Sequence, residues 1–326
     1  MEILHDAAQY QQLVKAFKQQ YRHRVSNHYA LFPEIQKQIS ENRLFYLQAP
    51  GMLFFFQDEE AYWNVSFLAD VAATGTPLSV SKPCFLNLLN KGDVLSEKNQ
   101  IASQLMTACG FSLSGINRYY EISLADQIEP ILQTEAELEQ VAAQNGFQLV
   151  TYQERDFDAI HALWEQLLHR NHSPLSDWEQ EICHSYLVVD AAQQLCGVYL
   201  PRIQGKTCTL WHLVVAPSVQ GKQLGKLLVS VALKKAWEQG LSSAGNWIAD
   251  ENLSSIRLHT RMGMHVTPNC SFQYSLHPVV YFAIPIPLHS ENANRLLRSF
   301  PRQAVCVFEL EKYPPHPSRN ELTPKS

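Results

Sequence analysis

The run Leu213-Val214-Val215-Ala216-Pro217-Ser218-Val219-Gln220-Gly221-Lys222-Gln223-Leu224-Gly225-Lys226 decides how this chain folds. Leu213 to Val215 is apolar and strand-like, and it runs into Pro217. A polar turn follows, then a helix whose apolar stripe is Leu224, Leu227, Leu228 and Val231. The first N–H groups of a helix lack intrahelical partners and point toward an anion. Gly221 and Gly225 let a phosphate approach the backbone, and Lys222 and Lys226 add positive charge nearby. Pro217 cannot donate a ladder hydrogen bond. Regular pairing is expected to stop there, leaving backbone groups free for an extended ligand. An ordinary strand-to-helix turn reads the same way. The loop matches neither the nucleotide pattern G-x-x-x-x-G-K-[ST] nor G-x-G-x-x-G.

A second informative run is Asn252-Leu253-Ser254-Ser255-Ile256-Arg257-Leu258-His259-Thr260-Arg261-Met262-Gly263-Met264. Asn252, Ser255 and His259 are spaced three and then four apart, so a helix places them on one face. Leu258 and Met262 supply apolar packing. A polar stripe on a face that meets a sheet marks a candidate site. Asn252 also reads as an N-cap, Ser255 as a small packing residue and His259 as a structural histidine.

Around these runs the element order is regular. Ser185–Asp190, Leu195–Ile203 and Thr207–Val215 read as an antiparallel meander. A helix over 221–239, a strand at 246–249, a helix over 253–262 and strands at 265–267, 271–276 and 279–284 follow. Helices over 157–170 and 175–183 precede the meander. Residues 6–42 read as helices, followed by strands at 44–48, 52–57, 61–68, 84–89 and 111–122 and a helix over 96–109. The two halves share this plan, with Cys109-Gly110-Phe111 and Met262-Gly263-Met264 in equivalent places. The fold class is therefore α/β, in α+β layers: a mixed, mostly antiparallel sheet flanked by helices, in two tandem domains.

A length of 326 residues suits two domains, and 46% hydrophobic with 17% charged residues is ordinary globular composition. The net charge of −5 and the lack of a basic block exclude a nucleic-acid footprint. Lys15, Lys18, Arg22 and Arg24 form a solvated helix face. The seven cysteines make no C-x-x-C pair, which argues against a zinc site or a secreted disulfide framework and for a reducing compartment. With no leader pattern at Met1 and no apolar run of roughly 18 residues, a cytoplasmic protein without a membrane span is expected.

The two runs together resemble the GNAT superfamily of N-acetyltransferases. That family's loop reads Q/R-x-x-G-x-G/A after V-x-P. Val215-Ala216-Pro217 and Gln220-x-x-Gln223-x-Gly225 match it, with Gln223 in place of the first Gly. Its later helix reads N-x-x-S/A-x-x-L-Y-x-K/R-x-G-F/M. Asn252, Ser255, Leu258, Arg261, Gly263 and Met264 match, and His259 stands where Tyr is usual. The resemblance implies a degenerate GNAT-like domain at 1–126 and an acetyltransferase domain at 147–312; the polar, Glu-rich helical pattern between them reads as a connector at 127–146, and the Pro-rich polar end as a disordered tail at 313–326.

It also implies acetyl-CoA as co-substrate, no metal, and direct attack by a primary amine of a small molecule or amino acid derivative. No nucleic-acid or membrane partner is implied, and the chain is expected to be a monomer or homodimer. The resemblance assigns Leu213, Val214 and Val215 to the pantetheine arm or thioester. It assigns Gln220, Gly221, Lys222, Gln223, Leu224, Gly225 and Lys226 to the pyrophosphate, and Asn252 and Ser255 to the pantetheine side. His259 inherits the acid role of the family's Tyr, which it performs only while charged. A strand carboxylate often serves as base in the family; Trp211 stands at that place, leaving neighbouring His212 as the candidate. The competing readings are transfer from another acyl donor and a non-catalytic acyl-CoA-binding or scaffold role. Acceptor-lining candidates are His169–Trp178 and the cleft against the N-terminal half.

Overall fold

The computed structural model describes residues 1–28, 32–59, 61–92, 94–167, 185–204, 206–278, 281–283 and 305–307. The helix expected at 175–183, the stretch His169–Trp178 and the tail from 313 lie outside them. The first half comprises β1 (Glu2–Ile3), α1 (Ala7–Gln20), β2 (Arg24–Ser26), α2 (Phe32–Ser40), β3 (Leu44–Ala49), β4 (Met52–Asp58), β5 (Trp63–Asp70), β6 (Cys84–Lys91), α3 (Glu97–Ala108) and β7 (Ser112–Ser123). Helix α4 (Leu124–Gln144) leads to β8 (Phe147–Thr151), α5 (Phe157–Leu167), β9 (Tyr186–Asp190), β10 (Leu195–Gln204) and β11 (Thr207–Val215). Then come α6 (Leu224–Glu238), β12 (Ser243–Ala249), α7 (Leu253–Arg261), β13 (His265–Leu276), β14 (Tyr281–Ala283) and β15 (Val305–Val307).

One mixed, mostly antiparallel sheet runs through both halves in the order β1-β3-β4-β5-β6-β13-β7-β12-β11-β10-β9-β8. At its centre the halves exchange strands. β13 inserts between β6 and β7, pairing Phe272 with both Leu88 and Ile116. β7 in turn lies between β13 and β12, pairing with β12 from Ser243↔Ser123 to Ala249↔Asn117. The sequence break at 126/127 thus separates the halves along the chain but not in the sheet. The strands expected at 265–267 and 271–276 are a single strand, interrupted by a bulge between Val266 and Cys270. Gly110 and Gly263 both end a helix with positive φ, +97° and +86°, and feed the two exchanged strands, as their matched sequence positions suggest.

Helices cover both faces. α6 and α4 pack on one core with Ile122, Leu224, Leu228 and Ile248, while α3 covers an equivalent core with Phe54, Phe67, Leu88 and Phe272. On the opposite face α1 and α2 cover Leu53, Phe55 and Leu68, and α5 covers Leu187, Val198 and Val214. α4 is more than a connector. Ile131, Leu138 and Ala142 are buried in the core it shares with α6, and the Lys234 ammonium of α6 meets the Glu135 carboxylate at 3.0 Å. No described helix is long and apolar enough to cross a membrane.

Candidate functional site

β11 and β12 run parallel, but they pair only over Thr207↔Ser243, Cys208↔Ala244 and Thr209↔Gly245. From there they part. Among the described residues the edge Leu210–Val215 has no strand partner on the β12 side, while β10 pairs its other edge. Leu210 and Trp211 stand opposite the single residue Pro201, because the register jumps from Leu200↔His212 to Arg202↔Thr209. Such a bulge re-aims the side chains that follow it. Cys208, Leu210, Leu213 and Val215 therefore pack toward α6, whereas Val214 joins the α5 face, and alternation puts His212 on that face too.

The free edge leads into an uncapped helix. Pro217–Val219 makes one 3₁₀ turn, Gly221 has φ +82° and Gln223 φ +63° at the N-cap of α6. Among the described residues no side chain caps this terminus, and the first helical bond, Leu227 N–H to the Gln223 carbonyl at 3.0 Å, leaves the amides of Leu224, Gly225 and Lys226 outside the backbone ladder. A left-handed Gln is strained by about 1–2 kcal/mol relative to the right-handed region, which accounts for the Gly usual at this place in the resembled loop. Successive N–H groups in such a bend form an anion-binding concavity. Side chains play unequal parts. Leu224 is a core anchor. The Gln220 amide donates to the Val215 carbonyl at 3.2 Å, and the Lys222 ammonium lies over the Phe147 ring at 4.9 Å, so neither is committed to the concavity.

Gly225 faces the far wall. A Cβ built there would meet Leu258, Val215 and Leu213 at 3.6, 3.7 and 3.9 Å, ordinary contact distances. The protein's own packing thus tolerates alanine at this position. The contacts also show that this face of α6 lies close to both α7 and β11. Asn252 caps α7, its side chain accepting from Ser255 N–H at 3.1 Å.

His259 lies on the buried face of α7 and is 1% exposed. Its Nδ1 is 2.8 Å from the Ser255 carbonyl, an acceptor only, so Nδ1 carries the proton. Nε2 then accepts from the Asn246 amide at 3.2 Å. Burial moves the imidazole pKa down, outweighing the Ser255 carbonyl, which raises it. The ring is thus neutral with both nitrogens engaged, the reverse of the charged state that an acid role requires. Asn246, one residue beyond the last β11–β12 pair, went unnoticed in the sequence; the available signal was a lone amide in an otherwise apolar strand.

The N-terminal half contains the same divergence, filled by the chain itself. β5 and β6 are parallel and pair only at Trp63↔Cys84 and Asn64↔Phe85. β4 occupies one edge of β5, so β2, paired as Arg24↔Asp70, Val25↔Ala69 and Ser26↔Leu68, occupies the diverging one. Asn27 continues the ladder: its amide donates to the Val65 carbonyl at 3.1 Å, and its oxygen accepts from Phe67 N–H at 2.7 Å. Such an edge therefore accepts an extended chain carrying amides. Leu210–Val215 of β11 presents the equivalent edge. Among the described residues no group of three His, Cys, Asp or Glu side chains is placed to hold a metal ion.

The model of the Acetyltransferase (GNAT) family matches residues 147–264, and the chain carries a GNAT acetyltransferase domain there. Solved structures share the fold. A GCN5-related N-acetyltransferase from Sphaerobacter thermophilus is 13% identical with a TM-score of 0.50, the match covering 76% of this chain and 86% of that one. The GCN5-related glucosamine N-acetyltransferase region of a fungal multi-domain GH3 β-N-acetylglucosaminidase is 9% identical with a TM-score of 0.52, over 69% of this chain and 31% of that one. A tandem GNAT protein from the clavulanic acid biosynthesis pathway is 11% identical with a TM-score of 0.49, over 76% and 88%. Comparison with curated proteins gives no match.

Proposed function

We propose that the protein is an acyl-CoA-dependent N-acyltransferase that moves acetyl from acetyl-CoA to a primary amine of a small molecule or amino acid derivative. The observation that carries this reading is the open edge Leu210–Val215 leading into the uncapped start of α6. Extended, that edge spans about 20 Å, the scale of a pantetheine arm. Leu213, Val214 and Val215 would hold the arm through their backbone, and the backbone from Gln220 to Lys226 would hold the pyrophosphate. Asn252 and Ser255 border the arm from α7. A thioester held in this way is oriented toward an amine arriving from the opposite face.

The test is calorimetric titration of acetyl-CoA into the full chain, beside Gly225→Ala and Gly225→Glu. Alanine meets only ordinary contacts, so the variant should keep the wild-type melting temperature. Glutamate puts negative charge where the pyrophosphate belongs and should abolish micromolar binding. Absence of binding by the wild type overturns the acetyl-CoA reading.

A further inference from the structure

The exchanged strand β7 brings two ionisable groups from the N-terminal half to the point where β11 and β12 part. Glu121 pairs directly with Gly245, the last residue of β12 that β11 engages. Their Cα atoms are therefore about 5 Å apart. Tyr119 pairs with Trp247, the rings 5.1 Å apart, and leans back over Gly245. A Cβ added at Gly245 would collide with the Tyr119 hydroxyl and ring, so the glycine makes the room in which the phenol sits. Tyr120 and Ile122 fill the core on the α6 side, so alternation puts Tyr119 and Glu121 on the other face, the face of His212 and α5. Neither the Tyr119 hydroxyl nor the Glu121 carboxylate makes a hydrogen bond or ion pair among the described residues. Burial first, and then the charges of Glu121 and Cys208, hold the Tyr119 phenol above its usual pKa, which keeps it protonated.

Resting on the acetyl-CoA reading, we propose that β7 supplies the acid–base pair of the transfer, Glu121 as base and Tyr119 as acid. An arm laid along Leu210–Val215 from the α6 terminus ends at this vertex. The amine nitrogen bonds to the thioester carbonyl carbon as Glu121 takes one amine proton. The C–S bond then breaks, its electron pair leaving on sulfur, and Tyr119 passes its hydroxyl proton to that sulfur. Amide and free thiol result, and solvent returns the proton from Glu121 to Tyr119. This arrangement supplies the carboxylate missing from the Trp211 position of β11 and the acid that neutral His259 does not provide. It also makes the N-terminal half, in whose sequence no second cofactor loop is read, part of the catalytic centre.

The test compares Tyr119→Phe and Glu121→Gln with the wild type as full chains. Acetyl-CoA affinity is measured by calorimetry. Turnover is measured as free thiol released, with water and a panel of primary amines as acceptors. Both variants should bind acetyl-CoA within a few-fold of wild type while thiol release falls about 100-fold or more. Wild-type rates in both variants overturn the assignment. So does a wild type that binds acetyl-CoA but releases no thiol, an outcome that leaves the binding reading intact. Failure of the wild type to bind acetyl-CoA is the separate result that removes the underlying reading.

Discussion

Excising the C-terminal half, residues 147–326, should yield a chain that does not fold, although it contains the whole family-matched stretch. In the intact protein β12 has β7 as its full-length partner and pairs with β11 over only three residues. Among the described residues β13 pairs only with β6 and β7. The excised piece would therefore lose both ladders of β13 and the longer ladder of β12. It would also lose the buried side chains of Tyr120, Ile122, Leu124, Ile131 and Leu138 from the core under α6. At about 2 kcal/mol for each large apolar side chain, the loss is about 10 kcal/mol, comparable with the whole net stability of a typical domain, about 5–15 kcal/mol. Circular dichroism and urea titration of the fragment should show no cooperative transition. Co-expression of 1–145 with 146–326 keeps every strand available and should recover a complex that melts cooperatively. A monomeric 147–326 fragment with a sharp transition would refute the reasoning, because the halves would then be independent despite the shared sheet.

Two further outcomes follow from the same geometry. Acetyl-CoA should bind with a stoichiometry of one per chain by calorimetry, because β2 and Asn27 fill the diverging edge of β5; two equivalent sites would contradict that account. Stability should also fall on acidification. His28, held between the Tyr10 hydroxyl and Ser66 Oγ, has its pKa lowered from 6.5 to about 4 by burial and then by the charge of Lys18. The unfolded chain binds a proton below pH 6.5 that the folded chain resists. His28 therefore favours folding fully above that pH, and the contribution is lost as pH falls toward 4, by up to about 3 kcal/mol. His259 acts in the same direction. Urea midpoints measured across this range should drop for the wild type and drop less for His28→Asn.

The loop at the head of α6 and the helix carrying Asn252, Ser255 and His259 were legible because their information is local. A strand broken by Pro217, glycines before an apolar stripe, and a three-then-four spacing are properties of consecutive residues, and the elements formed where those patterns lie. The chemistry of His259 was not legible. Its charge state depends on the Ser255 carbonyl, Asn246 and burial, and burial is a property of the packed helix rather than of the residue. Tyr119 and Glu121 stood in a strand that nothing in the sequence connected to the point where β11 and β12 part, more than 80 residues before Leu213.

By itself the sequence determined the α/β layers, the meander, the loop at the head of α6 and the matching element order of the two halves, since hydrophobic period and turn chemistry act over a few residues. Only the tertiary structure decided that β7 and β13 change places, that β2 closes one divergence while the other stays open, and that the acid–base candidates come from the first half. Strand pairing is set by hydrogen-bond ladders between segments far apart in the chain. Apolar alternation tells a strand which face to bury but not which neighbour to take.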